Sequence, residues 1–133
     1  MKRYLISLLI LTLLLAVAGL VFAPIEPFDF RMTFLALAGY FAVITAIQHL
    51  LITRSTRKDP RTFVRNFFGI IMGVLAIHFV VLIIYMFGHI HQMEANKVFT
   101  IGFMVGFFSH LVFETTAQVL YLRRTQKESE KQI

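Results

Sequence analysis

Hydrophobic residues fill four long runs of this chain, roughly 4–22, 32–53, 66–88 and 98–122, and polar residues collect between them. Each run is about as long as the ~20 helical residues that cross a ~30 Å hydrocarbon core at ~1.5 Å per residue. The pattern predicts an all-α polytopic membrane protein, four transmembrane helices in an antiparallel bundle. With 133 residues in total, almost nothing remains for a water-soluble domain, so the chain reads as a single integral membrane domain over 1–133.

The punctuation between the runs fits this reading. Pro24 and Pro27 end the first run and cannot continue a helix in either direction. Asp59-Pro60 breaks any continuation of the second run. Span one is mostly Leu, Ile and Val, with Ser7 and Thr12 its only interior polar groups, and reads as the most lipid-exposed helix. Its Met1-Lys2-Arg3 start and Val21-Phe22-Ala23 end imitate a secretory signal peptide. The apolar stretch exceeds the usual length, however, and Pro24 would follow the cleavage point, so it is taken as an uncleaved span.

Small residues mark where helices should meet. In span two, Gly39, Ala42, Ala46 and His49 fall within about 80° of one another on a helical wheel. Gly69 and Gly73 in span three, and Gly102 and Gly106 in span four, are each spaced four apart. Such stripes let backbones approach where no hydrophobic driving force exists, and these four glycines are the expected helix-packing residues.

Composition agrees: 58% of residues are hydrophobic and 15% charged, with a mean hydropathy of +0.76. Cysteine is absent, which excludes disulfides, thiol catalysis and thiolate metal sites. A net charge of +6 invites a nucleic-acid reading, but its distribution argues for a membrane. Lys2 and Arg3 precede span one, Arg54, Arg57, Lys58, Arg61 and Arg65 fill the second loop, and Arg123, Arg124, Lys127 and Lys131 form the tail. The other two loops hold only Arg31 and Lys97, so 11 of 13 basic residues lie on one side. That asymmetry predicts both termini and the basic loop on the cytoplasmic side, facing anionic headgroups, with no nucleic-acid partner.

Ionisable groups inside spans are costly and therefore informative. Glu114 is the only acid within a run, and counting back nine residues from Arg123 puts it near mid-bilayer. Gly102, Gly106, His110 and Glu114 follow at i+4, so His110 and Glu114 should face protein and, one turn apart, can interact. His78 and His110 are expected at one depth, a placement that suits axial haem ligation. The wheel counts against haem, since His78 lies about 140–180° from Gly69 and Gly73. His78, His110 and Glu114 thus form the candidate intramembrane polar site, either a proton- or cation-responsive centre or an interhelical polar clamp. His49 is expected near the interface and hydrated. His89 and His91, near Glu94, make a poor metal set, so no metal or cofactor is expected. No phosphate-cradling loop, nucleophile elbow or zincin helix is present, and the chain is read as a non-enzyme.

The second half carries a resemblance. Pro60-Arg61-Thr62-Phe63-Val64-Arg65-Asn66-Phe67-Phe68-Gly69, a span closing at Tyr85, an outer loop with Ala95, and Phe113-Glu114 before Tyr121-Leu122-Arg123 resemble ATP synthase protein I. The similarity covers about residues 48–124 and is divergent. It implies a small four-span protein of the bacterial inner membrane, associated with assembly or stability of the rotary synthase's c-ring, with a proposed divalent-cation transport role. The family's basic residue inside the third span has only His78 to match it here. The expected function is therefore an accessory or assembly subunit among larger membrane subunits, the synthase's a and c subunits first, or in a homo-oligomer. The alternative is a small ion transporter or channel built on Glu114 and the histidines.

Overall fold

Four α-helices account for almost all of the described chain in the computed structural model, which describes residues 1–24, 26, 29–55 and 60–133. They are α1 (Lys2–Phe22), α2 (Arg31–Ser55), α3 (Pro60–Gly88) and α4 (Met93–Lys131). All four are long and apolar enough to cross a membrane. Every helix outruns its apolar stretch, because backbone hydrogen bonding continues into polar flanks that hydropathy does not register. The excess is largest in α4, which runs on past Arg123 to Lys131.

Local chemistry fixes the ends. The Ala23 N–H still bonds Gly19 O at 2.9 Å, and Pro24 follows. Asp29 receives the backbone N–H of Arg31 at 3.0 Å and pairs with its guanidinium at 2.8 Å, tying down the start of α2. The Arg31 hydrogen bonds hold the exposed Asp29 carboxyl down to about 2. α3 begins on Pro60, whose missing N–H is no loss in a first turn. Between α3 and α4, the Asn96 amide and the Gln92 N–H both donate to His89 O, closing a short turn.

α2 is the hub of the bundle and touches all three other helices, whereas α1 and α3 do not meet among the described residues. Leu37 and Phe41 of α2 pack on Phe99 and Phe103 of α4, with Val81, Leu82 and Tyr85 of α3 alongside. Ala23, Phe30 and Ala95 form a smaller cluster at the end where α1 turns into α2. The glycines divide sharply. A Cβ at Gly102 would stand 2.7 Å from the Phe34 ring, and one at Gly106 2.6 Å from the Phe41 ring, so rings of α2 press closely on the α4 backbone there. At Gly69 and Gly73 a Cβ would meet nothing within 4 Å. The expected contact at that pair does not form, because α3 is rotated to turn its glycines outward.

The burial pattern is inverted relative to a water-soluble bundle. Leu9, Leu14, Val17, Ile84 and Phe87 are exposed, while His49, His78, His110, Glu114 and Gln118 are buried. His78 is the one buried residue of α3 among those described.

Candidate functional site

Two polar layers lie inside the bundle. The first is built on Glu114, which is 4% exposed and is reached from three helices. Its Oε1 accepts from Nδ1 of His49 at 2.9 Å and from the Gln118 amide at 2.6 Å. Its Oε2 accepts from the Tyr4 hydroxyl at 2.7 Å. The same hydroxyl lies 3.2 Å from the Thr45 carbonyl oxygen, and the Tyr4 ring stacks on His49 with centroids 3.6 Å apart and planes 11° apart. Each helix contributes by register. Glu114 and Gln118 are one turn apart on α4, Thr45 and His49 one turn apart on α2, and Tyr4 sits in the first turn of α1. Removing one member leaves buried partners unsatisfied, so the layer acts as a unit.

The second layer is one to two turns away. Tyr40 and Nδ1 of His78 share a 2.7 Å hydrogen bond that joins α2 to α3. The His78 ring meets Phe41, Phe103 and Phe107 with centroids 5.3, 5.9 and 5.4 Å away. His110 stacks on Phe41 and donates from Nδ1 to the Gly106 carbonyl oxygen at 2.9 Å. Between the layers, α2, α3 and α4 border a half-open cavity of about 190 Å³, lined on its polar side by Thr45, Gln48, His78, His110 and Glu114. An apolar crevice of about 380 Å³ lies between α1, α2 and α4 and reaches His110 at its deep end.

Three readings of the sequence change here. His110 and Glu114 are one turn apart but do not pair with each other: His110 bonds the backbone, and Glu114 takes its partners from α1, α2 and Gln118. His49 is not hydrated: at 5% exposure it is the partner of Glu114. The Tyr4 bond sets Glu114 level with the first turn of α1, one turn from Lys2 and Arg3. The wheel also kept His78 from α4 on the premise that Gly69 and Gly73 faced inward. With those glycines outside, His78 faces the rings of α4.

Of the basic loop, Arg54 lies in the last turn of α2 and Arg61 and Arg65 in the first two turns of α3, while Arg57 and Lys58 lie outside the described residues. His89 donates to Tyr85 O, and no group of three or more metal-ligating side chains occurs among the described residues. Tyr4, Tyr40, Thr45, Gln48 and Gln118 were not singled out by the sequence. Gln118 had a readable signal, extending the i+4 series from Gly102 to Glu114 by one turn. Tyr4 did not, since an aromatic beside basic residues reads as an interfacial anchor.

The chain matches no family model, no curated protein and no solved structure.

Proposed function

We propose that this chain is a non-enzymatic accessory subunit of a larger membrane complex, held in the bacterial inner membrane with both termini on the cytoplasmic side. The partner to which the sequence resemblance points is the membrane sector of the rotary ATP synthase, around its c-ring. The observation that carries the reading is the open Gly69–Gly73 face of α3, where an added Cβ meets nothing. Membrane helices pack through small residues, and this pair packs against no other helix among the described residues. The best-bonded polar group, Glu114, is by contrast committed to three internal partners. An inward-bonded interior with an unspent packing face suits a protein that works by docking.

Extraction in mild detergent followed by affinity purification tests this. Synthase membrane subunits should co-purify, and the double substitution Gly69→Leu, Gly73→Leu should release them while leaving the four helices folded. Recovery of the wild type as a lone monomer or homodimer sinks the proposal.

Ion transport is the second reading, favoured by one observation: His78, His110 and Glu114 line a single cavity. The aromatic layer of Phe41, Phe103 and Phe99 beyond His78 weighs against a through path. Ion flux in reconstituted vesicles that Glu114→Gln abolishes would support transport; no flux in the wild type would remove it.

A further inference from the structure

The cavity between α2, α3 and α4 is walled by more hydrogen-bonding capacity than the protein consumes. Neither the Thr45 hydroxyl nor the Gln48 amide bonds to another described residue, although Thr45 is only 4% exposed. His110 adds a sharper signal. Its Nδ1 faces a carbonyl oxygen, which only accepts, so Nδ1 carries the hydrogen. The neutral ring then keeps its lone pair on Nε2. That atom is buried and has no partner among the described residues, on a side chain 4% exposed. A buried acceptor is ordinarily satisfied by protein or by ordered water. A water needs on the order of 10–15 Å³ of such space and two to four polar partners, and a cavity of about 190 Å³ with five polar walls supplies both.

We propose that this cavity is a hydrated site for an exchangeable proton, open only toward the basic end of the bundle. Water in it bonds Nε2 of His110, Thr45 and Gln48. Glu114 is the floor of the cavity, and behind it His49, Gln118 and Tyr4 lead to the end that carries Lys2 and Arg3. On the other side, Phe41, Phe103 and Phe107 close over His78, with Leu37 and Phe99 beyond them, and the crevice that approaches His110 from that end is walled by apolar side chains that offer water no chain of partners. The titratable groups around the site are Tyr4 from α1, Tyr40 and His49 from α2, His78 from α3, and His110 and Glu114 from α4. A proton arriving from bulk water at the basic end bonds to Nε2 of His110. No bond of His110 breaks; Nδ1 goes on donating to Gly106, and the new Nε2–H donates to cavity water. The site takes a proton up and returns it to the same side. The inference does not rest on the accessory reading, and it excludes a through channel.

The test uses the full chain, ¹⁵N-labelled at histidine, in phosphatidylcholine–phosphatidylglycerol vesicles with the orientation fixed by protease access to the tail. Solid-state NMR should show magnetisation passing from water to the ring nitrogens of His110, assigned with His110→Phe. A pH drop on the tail side should convert the His110 ring to the imidazolium pattern, and the same drop on the opposite side should not. Thr45→Val should lower the water transfer at least about threefold while the Tyr40–His78 signal persists; Gln48→Leu serves if Thr45→Val fails to fold. Absence of water transfer to His110, equal response to either side, or valinomycin-driven proton flux above that of empty vesicles overturns the proposal.

Discussion

Glu114 concentrates the chemistry of single residues in this protein, and its neighbours dictate how substitutions should behave. Gln keeps an oxygen for His49 and Gln118, and the Tyr4 hydroxyl can turn fully to the Thr45 carbonyl it already approaches at 3.2 Å. Leu strands the His49 and Gln118 donors inside the protein. Glu114→Gln should therefore cost under about 1 kcal/mol, and Glu114→Leu about 1–3 kcal/mol, reading an orphaned buried donor at its usual cost. Reversible unfolding in bicelles gives both values, and a Leu variant as stable as Gln would show that the three hydrogen bonds carry no stability. Tyr4→Phe should fall near the ~0.6 kcal/mol average for a hydrogen bond in a membrane, because stacking on His49 is kept. Outside the helices, the Asp29–Arg31 link has a definite sign. The folded carboxyl sits at about 2, below its usual 3.8, so the link is complete above about pH 4 and is lost as pH falls through 2. A carboxyl NMR titration reads it directly. At this scale the polar positions were legible in the sequence but their pairing was not. His49 and Glu114 are 65 residues apart, and a wheel drawn on one helix says nothing about which residue of another it meets.

The helices themselves were legible in number, order and approximate extent, since apolar runs of this length have few alternatives in 133 residues. Their rotation was not legible. Two glycine pairs with identical spacing look equivalent in sequence, yet Gly102 and Gly106 lie under rings of α2 while Gly69 and Gly73 face outward. The deciding residue is His78: burying one histidine against Phe103 and Phe107 turns the opposite face of α3 out. The pairs should respond oppositely to alanine. Gly106→Ala places a Cβ 2.6 Å from Phe41, itself 2% exposed, and should destabilise by about 1–3 kcal/mol, as overpacking does. Gly102→Ala should cost less, because Phe34 is only partly buried and has room to move. Gly69→Ala and Gly73→Ala should be neutral or stabilising by up to about 1 kcal/mol, the backbone entropy that glycine forfeits in a helix. Measured in the isolated protein, a large loss at Gly69 or Gly73 would mean that α3 is rotated otherwise.

For the molecule as a whole, the polar interior and the basic asymmetry combine into one geometric expectation. The Tyr4–Glu114 bond places the start of α1 and the middle of α4 on one level, so the 17 residues from Thr115 to Lys131 extend about 25 Å past that level. This stretch holds Arg123, Arg124, Lys127 and Lys131 and is largely exposed beyond Leu122. Helix this polar gains nothing from hydrocarbon, so it should stand in water on the side that also holds Lys2, Arg54 and Arg61. The cysteine-free sequence makes that easy to examine. Ser129→Cys should react with a membrane-impermeant maleimide only from the cytoplasmic side, and Gln92→Cys, in the turn before α4, only from the opposite side. Adding the reagent to intact cells and to inverted vesicles separates the cases. Labelling of both positions from one side would break the four-span reading. Exchange of the two sides would keep the bundle and reverse its orientation, putting the basic end, and with it the mouth of the His110 cavity, on the wrong face for a cytoplasmic proton.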